Sequence, residues 1–482
     1  MSRVRGRVAL ALLAPFLAVA CGGDGGTPDG DGPASSSAVD RATNVLLVVC
    51  DTLRADRLGP YGGELNTPAT DRLAARGVTW EDNRAQGCWT LPSMLSMMTG
   101  RYIGVKSRAL PANQPSMADL MSEAGFACGA FVANGVAGPE RDFDRSFDEY
   151  QLFVPETEAD RVAGEFLAWR DSLADPQQRW FGWVHFMDPH SPYGPTLEPG
   201  ARLPAAEPGL REAWDRSEDF IRQRVPDYDE QPVVKGRAFM LLVRAEYDIE
   251  VERFDRGLGR LLDGLEERGE LDSTLVVLAS DHGEALYENP LYPGLLAQRF
   301  GEERGVQLAS LQAEGHDYWY FPETWNTPLI MSGPGLARGV VGRGMSANID
   351  ILPTILAATG VDGPDDLDGL DLVGRTSVER EHVFAYGRDT TAAIDTAGNF
   401  WVEMPRKLSG IARDELRSGL LYSLEKGRFG LRGRRGDDSS IASALVERIE
   451  EWRGGLTLEP NQQVDEGADR ILIELGYVEG ED

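Results

Sequence analysis

Apolar runs that alternate with helical patterns organise most of the chain. Residues 45–50 and 273–280 are unbroken β-branched and aliphatic runs, typical of strands buried on both faces of a sheet. In 237–268 the leucines fall on one stripe of a helix. The predicted strands are 45–50, 126–132, 180–186, 273–280 and 327–331, and the predicted helices are 67–76, 237–268 and 350–359. This alternation predicts an α/β fold, with a doubly wound, mostly parallel sheet and helices on both faces.

The pattern changes near residues 40 and 380, and these changes give the predicted domain organisation. Residues 41–380 carry the strand and helix alternation and are expected to form one large domain. Beyond it the periodicity becomes irregular, so 381–482 are predicted to form a small C-terminal α+β subdomain.

The first 40 residues have the form of an export signal followed by a linker. Three arginines precede the apolar run 8–20, which predicts a signal peptide over 1–20. That run is shorter than the roughly 20 apolar residues that cross a bilayer. The signal ends in Leu-Ala-Val-Ala-Cys21, which is similar to the bacterial lipobox, so Cys21 is predicted to be lipidated. The alternative is an ordinary signal peptide with a chance cysteine.

The segment 21–40 is rich in Gly, Asp, Ser and Pro and is predicted to be a flexible linker. The chain is therefore expected to be exported and held at the cell envelope, with its lipid anchor as the only membrane contact. In a Gram-negative source it would lie at the outer membrane or face the periplasm.

Charge and cysteine content narrow the function classes. The 482 residues include 78 acidic and 48 basic side chains, a formal net charge of −30. Nucleic-acid binding is excluded on this ground, because it needs a basic face. Besides Cys21 the chain has only Cys50, Cys88 and Cys128, too few for a disulfide scaffold.

Polar side chains follow three of the predicted strands. Asp51 follows the first strand, Asp281 and His282 follow the strand 273–280, and His190 comes shortly after 180–186. Sites in such sheets form at the carboxyl ends of strands, and carboxylates with an imidazole are typical ligands of a divalent metal. The competing interpretation of any one post-strand aspartate is a helix N-cap.

Together and in this order the motifs resemble the sulfatase family of the alkaline phosphatase superfamily, across residues 44 to about 372. The motifs are NVLLVVCDTLRAD at 44–56, TPATDRLA at 67–74, TLPS at 90–93, TGR at 99–101, SDHGE at 280–284 and NTPLI at 326–330. The resemblance implies an alkaline-phosphatase-like fold. It also implies one divalent metal held by Asp51, Asp281 and His282, with the nucleophile as a further ligand.

The nucleophile position departs from the family pattern. Sulfatases use a cysteine or serine that is oxidised to formylglycine in Cys/Ser-x-Pro-x-Arg, whereas this chain has Thr90 there and Met94 in place of the arginine. No formylglycine is expected, and Thr90 is predicted to be both nucleophile and metal ligand. A sulfothreonine lacks the second hydroxyl that lets a formylglycine ester collapse by elimination, so threonine favours phosphoryl chemistry.

The metal and the contacts to substrate are implied by the same resemblance. The family uses Ca²⁺, but Thr52 replaces a second metal-binding aspartate of many sulfatases, so Mn²⁺, Mg²⁺ and Zn²⁺ are alternatives. His190 and His316 match positions that contact the transferred group, and either is expected to protonate the leaving group. Arg101 is expected either to bind the anion or to pair with a carboxylate, and His185 to be structural.

The sequence therefore predicts a metal-dependent hydrolase of sulfate or phosphate esters, whose anionic substrate can be a glycan or a lipid. One alternative is a phosphodiesterase or phosphotransferase that acts on an envelope lipid or glycan. The other is an inactive lipoprotein that binds anions or glycans, since Thr52 and Met94 both break the sulfatase pattern.

Overall fold

The computed structural model describes residues 41–103, 107–191, 232–286, 314–316, 320, 322–386, 391–403, 420–424, 433–435 and 439–456. The predicted signal peptide 1–20, the lipidation site Cys21 and the linker 21–40 lie outside these residues. Among the described helices, none combines the length and the apolar character that a membrane span requires.

An eight-stranded sheet forms the centre of the molecule. In chain order its strands are β1 (Asn44–Cys50), β2 (Val78–Arg84), β3 (Ala127–Val132), β4 (Glu149–Leu152), β5 (Trp180–Phe186), β6 (Thr274–Ser280), β9 (Leu329–Ser332) and β10 (Val340–Ala347); β7 (Ala285–Leu286) and β8 (Glu314–Gly315) pair separately. The spatial order is β10-β2-β9-β6-β1-β5-β3-β4. Five of the seven pairings are parallel, and β9 runs antiparallel to both of its neighbours, β2 and β6. The sheet is therefore mostly parallel, as predicted, and mixed at β9.

Strand direction decides where the site forms. The central strand β1 lies between β5 and β6, and all three run the same way as β3. Their carboxyl ends consequently meet at one edge of the sheet, where α/β proteins place their sites. Every residue of β1, β5 and β6 is buried, which is why these strands appear in the sequence as unbroken apolar runs.

Helices cover both faces of the sheet, so the doubly wound prediction is confirmed. They are α1 (Pro68–Arg76), α2 (Thr90–Thr99), α3 (Met117–Glu123), α4 (Ala159–Ser172), α5 (Pro232–Glu267), α6 (Pro322–Trp325), α7 (Ile351–Thr359) and α8 (Ser439–Gly455). Apolar side chains of α2, α3 and α7 pack on one face of the sheet. Those of α1, α4 and α5 pack on the other.

A second, antiparallel sheet follows the main domain in the chain. Its strands, adjacent in chain order, are β11 (His382–Tyr386), β12 (Thr391–Asp395), β13 (Asn399–Val402), β14 (Leu420–Leu424) and β15 (Gly433–Arg435). Leu445 and Ile449 of α8 pack against Ala393 and Leu421 of this sheet. The Tyr386 hydroxyl lies 2.8 Å from Ser96 Oγ, so the small sheet contacts the buried helix α2 directly. This agrees with the α+β character predicted for the C-terminal region.

Candidate active site

The first strand ends in a turn that positions Asp51 and Thr52. The Asp51 amide donates to the carbonyl of Phe186, which continues the pairing of β1 with β5. Thr52 adopts a left-handed conformation, with φ of 54°, which is uncommon for a residue with a Cβ. Two contacts stabilise this turn: the Thr52 amide donates to Asp281 Oδ1 at 3.3 Å, and its carbonyl accepts from the Tyr247 hydroxyl at 2.7 Å.

The strand next to it, β6, ends in the turn Asp281-His282-Gly283. Asp281 Oδ1 accepts from the His282 amide at 2.8 Å. His282 Nδ1 lies 3.0 Å from the Gly283 carbonyl, which can only accept, so Nδ1 carries the proton and Nε2 has a free lone pair. A side chain at Gly283 would put its Cβ 2.0 Å from the Glu323 carbonyl oxygen, so this position requires glycine.

The two turns aim three ligand atoms at one point. His282 Nε2 lies 3.5 Å from Asp51 Oδ1 and 3.4 Å from Asp281 Oδ2. All three residues are fully buried, and neither carboxylate oxygen has a hydrogen-bond partner among the residues that the structure describes. In each residue one polar atom is hydrogen-bonded by the protein: Oδ2 of Asp51, Oδ1 of Asp281 and Nδ1 of His282. The other polar atom of each residue points towards the centre of the cluster. Buried, unpartnered oxygens beside a neutral imidazole fit a divalent cation, and these residues form a candidate metal site.

The charges of the cluster agree with this interpretation. Burial and the nearby charge of Asp51 raise the pKa of Asp281 well above its usual range. Burial opposes ionisation of Asp51, but the imidazoles of His190, His185 and His282 lower its pKa below the usual range. Burial and His316 lower the pKa of His282, which keeps it neutral and able to bind a metal. Without a cation these shifts favour the neutral form of Asp281 beside an ionised Asp51, and a bound cation would favour the ionised form of both.

Thr90 lies at the first turn of α2, beside the candidate metal ligands. All ten residues of this helix are buried, and Thr90 is its first residue. Thr90 Oγ1 lies 3.4 Å from Asp51 Oδ2 and 3.4 Å from His282 Nε2. Partial positive charge at a helix N-terminus favours negative charge on an adjacent group. The hydroxyl thus lies where an alkoxide would be stabilised.

Two further residues contact the cluster, and neither of them was predicted from the sequence to belong to it. Asn134, two residues after β3, donates through Nδ2 to Asp51 Oδ2, and also to Thr90 Oγ1 at 3.1 Å. His185, for which the sequence favoured a structural role, places Nε2 3.6 Å from Asp51 Oδ2 inside the site. Asn134 comes shortly after the parallel strand β3. The rule that sites form at the carboxyl ends of parallel strands, which located Asp51, therefore also applies to Asn134.

The other two predicted histidines, His190 and His316, lie beside the candidate metal ligand His282. The His316 ring centroid is 4.3 Å from that of His282 and 5.1 Å from that of His190. His316 Nδ1 lies 3.2 Å from the buried carboxylate of Glu284. Strand β8 brings His316 there by pairing with β7, which directly follows Glu284. The structure thus gathers the predicted metal, nucleophile and histidine positions into one site.

Arg101 is the exception among the predicted site residues. It follows Gly100, where α2 ends, and so lies at the opposite end of that helix from Thr90. Its guanidinium donates to the Asp366 carbonyl at 2.7 Å and pairs with the Asp366 carboxylate. Of the two roles that the sequence left open, the structure shows the pairing with a carboxylate. Substrate binding by Arg101 has no support from this geometry.

Asp188, two residues before His190, gives a prediction about stability. Burial and the neighbouring carboxylate of Glu250, through its charge and a hydrogen bond, raise its pKa to about 7. Between about pH 4, near the value in the unfolded chain, and pH 7 the native state holds a proton that the unfolded state has lost. The free energy of unfolding therefore falls as pH rises through this range, by at most about 4 kcal/mol. Asp188→Asn, which stays neutral and keeps an acceptor for the Ala159 amide, should remove most of that dependence.

The check compares melting temperatures of the wild type and Asp188→Asn from pH 4 to 8. The wild type should lose more stability across the range than the variant does. Asp175→Asn, at an exposed aspartate, serves as the control and should follow the wild type. Parallel curves for the wild type and Asp188→Asn would contradict the assignment.

Solved structures share this fold. A phosphonate monoester hydrolase of Agrobacterium radiobacter matches with a TM-score of 0.60 and 19% identity, over 85% of this chain and 95% of that protein. A protein solved with its substrate D-glucosamine-2-N,6-O-disulfate matches with a TM-score of 0.61 and 17% identity, over 86% of this chain and 98% of that one. The fold is therefore alkaline-phosphatase-like. The order of the strands and the position of the site at their carboxyl ends agree with this class.

Sequence comparison gives the family within this class. A sulfatase family model matches residues 43–361, and the chain belongs to the sulfatase family of ester hydrolases. Mouse steryl-sulfatase is 28% identical, over 73% of this chain and 68% of that protein. A low-salt glycan biosynthesis sulfotransferase of Haloferax volcanii, Agl7, is 25% identical; the match covers 70% of this chain and 66% of the archaeal protein.

Proposed function

We propose that this chain is a metal-dependent hydrolase of phosphate or sulfate esters in which Thr90 is the nucleophile. The observation that carries the proposal is the position of Thr90 Oγ1, at the N-terminus of a buried helix and 3.4 Å from both Asp51 and His282. An inactive binding protein would need no hydroxyl beside the metal ligands. The convergence of all these groups at one sheet edge therefore favours catalysis over binding alone.

Asp51, Asp281 and His282 would hold the metal, with Thr90 Oγ1 beside them. When bound, a divalent cation supplies Lewis acidity that favours loss of the Thr90 proton and offsets charge on the transferred group. The donor set has two carboxylates, one imidazole and one hydroxyl, with Thr52 where a further carboxylate would be. Few oxygen ligands together with an imidazole favour Mn²⁺ or Zn²⁺ over Ca²⁺, which prefers six to eight oxygens.

The reaction proceeds in two displacements with a covalent ester of Thr90 between them. In the first, the Thr90 hydroxyl loses its proton to solvent, a bond forms from Oγ1 to phosphorus or sulfur, and the bond to the leaving oxygen breaks. His316 or His190 protonates that oxygen, so an alcohol departs. In the second, water attacks the covalent ester and loses a proton to the same histidine. Oγ1 then departs and takes a proton from solvent. The sum is ester plus water giving alcohol and phosphate or sulfate.

Threonine favours phosphate over sulfate esters as the substrate. Release from a sulfothreonine needs attack of water at sulfur, whereas phosphoryl groups are transferred readily by in-line displacement. A phosphodiester of an envelope lipid or glycan is a suitable substrate, because the chain is predicted to be held at the cell envelope. The export signal and the lipobox-like sequence ending at Cys21 support an exported, lipid-anchored enzyme.

The test measures turnover by the purified chain of four p-nitrophenyl probes: a sulfate, a phosphate monoester, a phosphodiester and a phosphonate monoester. Each is measured after chelation and after addition of Mn²⁺, Zn²⁺, Mg²⁺ or Ca²⁺. We expect metal-dependent release of p-nitrophenol, fastest from a phosphorus ester. No turnover of any probe with any metal would overturn the hydrolase proposal. A sulfate preference would instead overturn the assignment to phosphoryl chemistry.

A further inference from the structure

Asn134 contacts both the proposed nucleophile and one of the candidate metal ligands. It is fully buried and begins the single helical turn Gly135–Ala137. Its position is set by the backbone, since the amide of the preceding residue, Ala133, donates to the carbonyl of His185 in β5 at 2.9 Å. Asn134 therefore lies at the carboxyl edge of the sheet for the same reason that Asp51 does.

The orientation of the Asn134 amide follows from its partners. The Val136 amide, which can only donate, lies 2.7 Å from Asn134 Oδ1, so Oδ1 faces the turn. Nδ2 must then face the site, and each of its two hydrogens has an acceptor. One is donated to Asp51 Oδ2, and the other to Thr90 Oγ1 at 3.1 Å.

This donation constrains the Thr90 hydroxyl. Because the lone pair of an amide nitrogen is delocalised, Nδ2 can only donate, so Thr90 Oγ1 must accept from Asn134 and its own proton must point elsewhere. Asp51 Oδ2 and His282 Nε2 each lie 3.4 Å from Oγ1, and the Asp281 carboxyl is also close enough to hydrogen-bond with Thr90. The Thr90 proton therefore points towards the candidate metal ligands and not towards Asn134.

We propose that Asn134 is a catalytic residue that donates Nδ2–H to Thr90 Oγ1 throughout the reaction. This inference rests on the proposed function of Thr90 as nucleophile. Negative charge develops on Oγ1 twice: when the hydroxyl loses its proton to attack the ester, and when Oγ1 leaves as water attacks the covalent ester. A fixed donor in a buried site stabilises the charge both times without reorganising.

The position of Asn134 would also fit a positioning role. Asn134 donates to Asp51 Oδ2, which leaves Asp51 Oδ1 directed at the candidate metal site. The two roles differ in what a substitution changes. Loss of a residue that only orients a metal ligand lowers metal affinity by about 10–100-fold. Loss of a donor to the reacting oxygen lowers kcat by about 100–1000-fold even when the metal is bound.

The experiment uses two variants that keep the acceptor for the Val136 amide. Asn134→Ser is neutral and too short to reach Thr90, and Asn134→Asp has nearly the same shape but no donor. Asn44→Ser is the matched control, because Asn44 is also buried and its Oδ1 accepts from the Trp180 amide at the opposite end of β1. All chains are assayed with the p-nitrophenyl ester that the wild type cleaves fastest. Bound metal is measured by elemental analysis, and the Thr90 adduct by intact mass after quenching.

For Asn134→Ser at saturating metal we expect kcat to fall about 100–1000-fold, with formation and decay of the adduct both slowed. KM and the amount of bound metal should stay within about threefold of the wild type. The control Asn44→Ser should keep the kcat, the KM and the bound metal of the wild type. If Asn134→Ser does not fold, Asn134→Asp decides on the same criteria. Recovery of kcat at high metal, or a kcat within about threefold of the wild type, would overturn the inference. These results are distinct from failure of the proposed function, which would appear as an inactive wild type.

Discussion

Thr90→Ala should lower kcat by about 10⁴–10⁶-fold on every ester that the wild type cleaves, and should abolish the covalent adduct seen by mass spectrometry. The substitution removes the only side-chain oxygen that reaches both Asp51 and His282 from α2 among the described residues. The three candidate metal ligands, Asp51, Asp281 and His282, remain, so the protein should still bind a cation.

The matched control lies in the same helix. Thr99 is the last residue of α2 and is also buried, and its hydroxyl donates to the Leu95 carbonyl at 2.7 Å within the helix. Thr99→Ala should change the melting temperature but leave kcat within about threefold of the wild type. If Thr90→Ala retained wild-type turnover, the nucleophile would have to be another group, such as water.

Removal of the metal, or of a residue that binds it, should have the second large effect. Chelation should abolish turnover and lower the melting temperature, and a ligand at 100 times its Kd stabilises a native state by about 2.7 kcal/mol. Asp281→Asn should weaken metal binding by more than about 100-fold, because it replaces an anionic ligand with a neutral one. With metal present, Asp281→Asn should therefore lower the melting temperature. In the metal-free protein the same substitution should raise it.

The reversal follows from the raised pKa of Asp281. Burial and the charge of Asp51 oppose its ionisation, so in the metal-free native state an ionised Asp281 is unfavourable at neutral and alkaline pH. At pH 8 the metal-free Asp281→Asn protein should therefore melt higher than the metal-free wild type, and with metal it should melt lower. Calorimetry of both proteins, with and without metal, measures these differences.

Asp255→Asn provides the control for loss of a buried carboxylate. Asp255 lies in α5 and accepts from the Ala69 and Thr70 amides at the start of α1, away from the metal ligands. This variant should leave metal affinity unchanged. Equal metal affinities in the wild type and Asp281→Asn would contradict the assignment of Asp281.

Much of the central sheet could be predicted because its inner strands are buried on both faces. Unbroken apolar runs located β1, β5 and β6 to within one residue. Strand β2 was missed because its second half is Glu-Asp-Asn-Arg, and β10 was missed because Gly342 and Gly344 interrupt it. In both, pairing with neighbours outweighs weak local preference. Helix α2 gave no amphipathic signal because it is buried all round.

The site was predictable where chemistry lies directly beside a strand end. Asp51, Asp281 and His282 each lie within two residues of a strand end, so their convergence follows from strand direction alone. His185 lies inside β5, and its approach to Asp51 depends on the parallel register that pairs it with Val49. Arg101 has a long side chain, so its motif alone could not decide between an anionic substrate and Asp366.

The pairing of β7 with β8 separates two parts of the candidate site. The candidate metal ligands, Thr90 and Asn134 belong to the packed sheet and its buried helix, where most substitutions would disturb the core. His316 directly follows β8, whose described pairing with β7 joins Ala285 with Gly315 and Leu286 with Glu314. If Thr90 and His316 act as proposed, we expect variants altered between these two strands to change which alcohol departs while Thr90 and the candidate metal ligands keep their positions.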